Sequence, residues 1–254
     1  MAIGRRFVDT RHGTALASAV MSRTRKTLLA GGAAVILIAI VAVGGTALLL
    51  RSHQAPPALA LATAQPGGSA AALTGHWTVA AGSQVGYRVK EKFVNQPAET
   101  EAVARTSKVT GGLVVAQTGS SVTVSHMSFS VDLASLTSQD KYANYQVYQR
   151  DFFVRTVYLQ TDAFPIATFT ADRVTFAVPA SGPVTVDIPG RLTVHGITKP
   201  VTAHVQATAA ASTAEVAGSM TVDMRDFAIE PPSISFTTAE PQVIIEFDLK
   251  LSHA

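Results

Sequence analysis

Residues 184–205 read Val-Thr-Val-Asp-Ile-Pro-Gly-Arg-Leu-Thr-Val-His-Gly-Ile-Thr-Lys-Pro-Val-Thr-Ala-His-Val. Apolar side chains alternate with other residues along this stretch, at Val184, Val186, Ile188, Leu192 and Val194. Because successive side chains of a β-strand point to opposite faces, the alternation predicts strands with one apolar face. His195-Gly196 predicts the turn of a hairpin, and Pro189-Gly190 predicts an earlier interruption of the run.

The same alternation continues on both sides of this hairpin. It recurs in five further segments: Val85–Val89, Met127–Leu133, Val201–Val205, Met220–Val222 and Val243–Leu251. Weaker strands fit at about 109–117 and 166–176, which brings the count to eight. The parity of the apolar positions shifts between Val124 and Met127, which predicts a bulge. Eight antiparallel strands can close into a barrel, although alternation alone does not separate a barrel from a sandwich.

One segment, from Ser138 to Tyr158, lacks the alternation. Its apolar residues are spaced by three and four, at Tyr142, Tyr145, Tyr148 and Phe152. This spacing places them on one face of a helix. The predicted fold is therefore all-β, with eight antiparallel strands and a short helical insertion.

The N-terminal region carries a different signal. Residues 27–50 contain no charged side chain, and 24 residues at 1.5 Å per residue give a helix of roughly 36 Å, long enough to span a membrane. The six basic residues of 1–26 predict that this tail is cytoplasmic and that the rest of the chain is extracytoplasmic. We expect a single-pass protein of the cytoplasmic membrane.

The apolar segment is longer than the core of a typical cleaved signal, which favours an uncleaved anchor. Small residues at Ala58-Leu59-Ala60 leave cleavage open, and translation could begin at Met1 or at Met21. Residues 51–73 are rich in Ala, Pro, Gly, Ser and Gln and predict a linker. The predicted barrel domain covers residues 74–254.

Charge and composition exclude several classes of function. The chain has a formal net charge of +3, but residues 1–26 contribute +5, so the remainder is mildly acidic. A domain without a basic surface is a poor candidate for nucleic-acid binding. The absence of cysteine excludes disulfides and thiolate metal sites.

Candidate catalytic groups have simpler explanations. His195 is either a base or ligand, or a turn residue beside Gly196, and the turn is favoured. Asp140 with Asp151, or Asp223 with Asp226, are either paired acids or surface charges, and surface charges are favoured. The histidines do not show metal-ligand spacing, and no serine lies in a nucleophile elbow. The sequence predicts no enzyme activity, no cofactor and no metal.

Several motifs, in the same order, resemble the YceI-like family of lipocalin-resembling barrels. They are Gly75–Val79, Gly82–Val89, Arg150–Phe153, Phe164–Phe169 and, most specifically, Gly190–Val201. The resemblance extends over about 180 residues, from Thr74 to Ser252. One loop departs from it, since many members carry Asn-Arg-x-Asp-Phe-Gly and this chain has Met224-Arg225-Asp226-Phe227-Ala228. The chain resembles a membrane-anchored branch of the family.

The resemblance implies a barrel around a long apolar tunnel that binds a polyisoprenoid or a similar lipid. Inward positions are then both core and tunnel wall. The expected lining residues are Val85, Tyr87, Val89, Phe129, Val131, Phe152, Phe169, Leu192, Val194, Met220, Val222, Ile245 and Phe247. The expected function is extracytoplasmic carriage or sequestration of such a lipid. The alternative is an envelope interaction module with a closed core, and whether the protein forms a homodimer is left open.

Overall fold

The computed structural model describes residues 55–62, 73–94, 98–141, 147–177, 179, 182–210 and 212–254. Their strands, in chain order, are β1 Gly75–Val79, β2 Gln84–Phe93, β3 Thr100–Thr106, β4 Val109–Thr118, β5 Ser121–Asp132, β6 Thr137–Ser138, β7 Ile166–Ala177, β8 Val184–Val194, β9 Ile197–Ala210, β10 Thr213–Asp223, β11 Ser233–Ile234 and β12 Thr237–His253. Helix α1 is Val147–Phe153; a π turn, Val154–Tyr158, follows it, and 3₁₀ turns lie at Leu133–Ser135 and Met224–Phe227.

The predicted cytoplasmic tail, 1–26, and the predicted transmembrane segment, 27–50, lie outside the described residues. Within the described part, no helix is both long enough and apolar enough to cross a membrane.

The strands form a closed antiparallel barrel. Both β1 and β2 pair with β12, so together they make one bent strand, and β3 and β4 make a second bent strand beside it. The ring continues through β5, β7, β8, β9, β10 and β12. Twelve segments therefore give eight barrel positions, and the prediction of an eight-stranded antiparallel barrel is confirmed.

The predicted bulge is present in β5. The pairing of β5 with β4 shifts register opposite Gly112 and Val114, and His126 has a positive φ of 51°. One extra residue in a strand restores the inward direction of the apolar side chains that follow it. Val124 and Met127 therefore both line the interior despite their odd spacing.

The predicted hairpin is also present, since Val194 pairs with Ile197 across a two-residue turn. His195 and Gly196 both have positive φ, of 51° and 73°, as a tight hairpin turn of this kind requires.

The expected interruption at Pro189-Gly190 was wrong, because β8 runs without a break from Val184 to Val194. The pairing explains this, since β7 and β8 pair only across Thr168–Thr170 and Arg191–Thr193 in the described chain. Pro189 thus lies where β8 has no partner on its β7 side, and a missing N–H is tolerated at such an edge.

The helical insertion is confirmed, but it is shorter than the predicted segment. Its first residue, Ser138, belongs instead to β6, which pairs with β3. Residues 142–146 lie outside the described part of the chain, and α1 begins at Val147. The helix lies at the end of the barrel where Arg150 reaches Glu91 of β2.

Candidate ligand cavity

Inward side chains of the barrel strands surround an apolar cavity of about 410 Å³. Its wall extends from Met224 and Phe227, the two ends of the second 3₁₀ turn, to Leu249 and Leu251 in the second half of β12. Small-molecule sites typically measure about 300–1,000 Å³ and are mostly apolar. The cavity therefore has the size and surface of a site for an apolar ligand.

Twelve of the thirteen residues predicted to face a tunnel lie in this wall. They are Val85, Tyr87, Val89, Phe129, Val131, Phe169, Leu192, Val194, Met220, Val222, Ile245 and Phe247. Phe169 lies over Gly190, where an added Cβ would meet its ring at 2.5 Å. The glycine thus leaves room for an aromatic side chain in the wall.

Phe152 is the exception. Its side chain is 57% exposed and lies outside the wall, whereas the next residue, Phe153, contributes to it. Consecutive residues of a helix differ by about 100° in direction, because one turn takes 3.6 residues. The α1 residue that lies in the wall is thus Phe153, because the sequence spacing had selected the outer face of α1.

One end of the cavity, beside α1, is polar. Tyr87, Glu91, Arg150 and Thr237 reach the wall there, and we call these four residues the polar collar. Arg150 Nη1 lies 3.5 Å from Glu91 Oε2, and Arg150 Nη2 donates to Asp140 Oδ1. The guanidinium thus stands between two carboxylates.

Burial and neighbouring charges shift the pKa values of the ionisable side chains in the collar. It raises the pKa of the Glu91 carboxyl; the charge of Arg150 opposes this shift, and that of Asp140 adds to it. Burial also raises the pKa of the Tyr87 hydroxyl. Burial alone would lower the pKa of Arg150, but the hydrogen bond and charge of Asp140 outweigh it and the pKa is raised. Arg150 is therefore a cation and Tyr87 is neutral, while Glu91 takes up a proton more readily than a surface glutamate.

Thr237 has a hydroxyl that no described group satisfies. The residue is 6% exposed, and Oγ1 has no hydrogen-bond partner among the described residues. It pairs with Phe93, and Glu91 pairs with Ala239, so Thr237 and Glu91 lie on the same inner face of neighbouring strands. Continuing the alternation Val85, Tyr87, Val89 by one step would have found Glu91. Arg150 belongs to one of the motifs that resemble the family, but no sequence signal placed Arg150 or Thr237 in the cavity.

The rim beside the collar is apolar and exposed. On the helical insertion, Phe152, Phe153 and Val157 are more than half exposed. Ile234 of β11 and Phe236, in the turn that leads into β12, are nearly half exposed. Phe153 and Ile234 also belong to the cavity wall. The apolar surface thus continues from the interior to the outside at this end.

The candidate catalytic residues have structural partners. His195 lies in the hairpin turn, donates through Nδ1 to the Phe227 carbonyl at 3.1 Å, and packs edge-on against Phe164. Asp140 is buried beside Arg150, so its assignment as a surface charge was wrong; only burial in three dimensions distinguishes it. Asp151 instead accepts hydrogen bonds from Ser138.

Asp223 accepts the backbone N–H of Arg225 at the start of the 3₁₀ turn and also binds its guanidinium. No group of three or more potential metal ligands occurs among the residues that the structure describes.

A closed eight-stranded antiparallel barrel around an apolar cavity defines the class of lipocalin-like barrels. Within this class, the sequence model of the YceI-like domain family matches residues 77–251, so this chain belongs to that family. The resemblance found in the sequence motifs is thereby confirmed. No curated protein sequence matches the chain.

Three solved structures illustrate the similarity. A polyisoprenoid-binding domain from Saccharophagus degradans is 14% identical, with 71% of this chain and 99% of that chain covered and a TM-score of 0.48. BcnA of Burkholderia cenocepacia is 21% identical, with coverages of 68% and 98% and a TM-score of 0.47. The YCEI protein of Campylobacter jejuni is 15% identical, with coverages of 63% and 84% and a TM-score of 0.35.

Proposed function

We propose that the barrel binds a polyisoprenoid or similar long-chain lipid in its cavity, and carries or sequesters it outside the cytoplasmic membrane without catalysing a reaction. The single observation that supports this most is the apolar cavity itself, whose wall is built from the alternating inward residues of the strands. Transfer of apolar ligand surface from water contributes about 25 cal/mol per Å². A long hydrocarbon chain therefore gains binding energy along the whole cavity.

The lipid enters through the apolar rim beside α1. Phe153 and Ile234 belong both to the exposed surface and to the wall, so a chain leaving a bilayer there stays in contact with apolar groups. Residues 27–50 anchor the protein and keep the barrel close to its lipid source. This arrangement requires the barrel to be on the outer side of the membrane.

Mass spectrometry of organic extracts from the purified full-length protein tests the proposal. We expect a reproducible long-chain isoprenoid or similar lipid at a fixed ratio to protein. A clean extract, together with no uptake of an added fluorescent prenyl analogue, would instead support an envelope interaction module with a closed core.

A pair of adjacent variants tests the cavity as the site. Val194→Asp places a carboxylate in the wall, and we expect at least a tenfold loss of bound lipid because a buried charge is unfavourable. His195→Ala, in the turn, should retain the lipid. Circular dichroism checks folding, and the near-isosteric Val194→Thr replaces Val194→Asp if the latter unfolds. Normal lipid in a folded Val194→Asp protein, with loss in His195→Ala, would place the site elsewhere.

A further inference from the structure

The polar collar provides a test of ligand chemistry, because nearly all the rest of the cavity wall is apolar. Of the described wall residues outside the collar, only Tyr158 and Thr168 have polar groups on their side chains. A lipid whose chain fills the apolar part must place its head either at the collar or in water beyond the rim. The charge and hydrogen bonding of the collar then determine which head group is accepted there.

The collar contains no free positive charge. Arg150 is the only basic residue among the described wall residues, and its guanidinium is already bound by Asp140, Glu91 and the hydroxyl of Ser138. One cation therefore faces two carboxylates in the buried network. Phosphate recognition needs cations or backbone N–H groups that are not already neutralised. A phosphate head placed at the collar would also lie close to the Glu91 and Asp140 carboxylates, which raises its energy.

The collar does offer groups that match a neutral hydroxyl. Thr237 Oγ1 is buried without a partner among the described residues, and Glu91 lies on the same face of the neighbouring strand. A ligand hydroxyl can donate to the Glu91 carboxylate while it accepts from Thr237 or from the Tyr87 hydroxyl. Such a ligand would satisfy a buried polar atom that the empty protein leaves unpaired, and the energy of an unmade buried hydrogen bond would then favour binding.

We propose, on the basis of the proposed function, that the polar collar selects isoprenoid lipids with a neutral hydroxyl head, an alcohol or a phenol, over prenyl phosphates and diphosphates. Thr237 provides the hydrogen bond that the head completes. Glu91 and Asp140 provide the negative potential that excludes an anionic head.

Equilibrium dialysis with the purified full-length protein tests this selectivity, with geranylgeraniol and geranylgeranyl phosphate as probes. We expect the alcohol to bind at least about tenfold more tightly than the phosphate, which corresponds to one good hydrogen bond plus avoided repulsion. Glu91→Gln removes one negative charge and should narrow that ratio by strengthening the binding of the phosphate.

Thr237→Val gives the most specific result. It keeps the side-chain shape and removes the unpaired hydroxyl, so the empty protein should become no less stable in thermal unfolding. The alcohol should nevertheless bind about five- to tenfold more weakly, and the phosphate should be unaffected. The matched control is Thr238→Val, the exposed neighbour on the opposite face of β12, which should change neither affinity. Tyr87→Phe tests the second donor in the same way.

These measurements distinguish failure of the proposed head-group selectivity from failure of the proposed lipid binding. Equal or tighter binding of the phosphate, or wild-type affinity for the alcohol in both Thr237→Val and Tyr87→Phe, would overturn the selectivity while the lipid-binding function stood. If neither probe bound and no lipid co-purified, the proposed function itself would fail.

Discussion

Ala228 shows how a single residue can carry strain in this barrel. It ends the 3₁₀ turn Met224–Phe227 with φ of 54°, in the left-handed region. There its backbone N–H binds the carbonyls of Met224 and Arg225. The motif of many family members ends in glycine after Asp-Phe, and this chain has alanine after Asp226-Phe227. A Cβ in the left-handed region costs about 1–2 kcal/mol, which glycine avoids.

We therefore expect Ala228→Gly to raise the free energy of unfolding by about 1 kcal/mol. Ala209→Gly, at an exposed position inside β9, should instead lower it by about 0.5–1 kcal/mol, because glycine loses more conformational freedom on folding. Urea denaturation of the two variants gives both values. A loss of stability in Ala228→Gly equal to that in Ala209→Gly would show that the turn is not strained.

At the scale of elements, part of the predicted linker lies against the barrel. Leu59 N donates to Glu246 Oε2 at 3.2 Å, and Arg88 Nη2 donates to the Pro56 carbonyl at 3.0 Å. Arg88 and Arg105 also bind Glu246, whose side chain is 2% exposed although it points outward from β12. Residues 55–62 thus lie along a buried ion cluster on the outer face of the sheet.

We expect Glu246→Ala to lower the free energy of unfolding by about 3–5 kcal/mol, because it leaves the charges of Arg88 and Arg105 buried without their shared partner. The matched control is Glu99→Ala, which breaks an exposed pair with Lys90 at 3.7 Å and should cost less than about 1 kcal/mol. Chemical denaturation compares the two. Equal effects would mean that water reaches the cluster around Glu246.

Burial of both of its faces explains why β3 was not predicted from the sequence. Ala102 lines the cavity, and Val103, on the opposite face, is 0% exposed. A strand that is buried on both faces does not need to alternate apolar and polar residues, because neither face is in contact with water. Its sequence, Thr-Glu-Ala-Val-Ala-Arg-Thr, therefore lacks the period-two pattern that revealed β2, β5, β8, β9, β10 and β12.

For the whole molecule, the proposed anchor and orientation lead to a topology prediction. The full-length protein should sediment with membranes, and a variant without residues 27–50 should lose this association. Protease added outside intact spheroplasts should degrade the barrel, since we propose that the basic residues of 1–26 keep the N-terminus on the cytoplasmic side. A barrel that is degraded only after the spheroplasts are lysed would reverse the proposed orientation.

The sequence by itself determined the eight strand positions, the bulge in β5 and the hairpin at His195-Gly196. Alternation did not separate a barrel from a sandwich, and the barrel was implied by the resemblance of the motifs to the family. It also indicated twelve of the residues in the cavity wall. These features are local, because a two-residue period fixes which side chains share a face wherever one face of a strand is buried.

Only the tertiary structure decided the rest. The polar collar joins Glu91 of β2, Arg150 of α1 and Thr237 of β12, which are separated by many residues in the chain and carry no shared pattern. The buried position of Asp140, the choice of Phe153 over Phe152 and the contact of residues 55–62 with Glu246 likewise depend on which elements meet. The physical reason is that the burial of a charged or aromatic side chain depends on its neighbours in space. The period of apolar residues along a strand indicates only which face of that strand the side chain occupies.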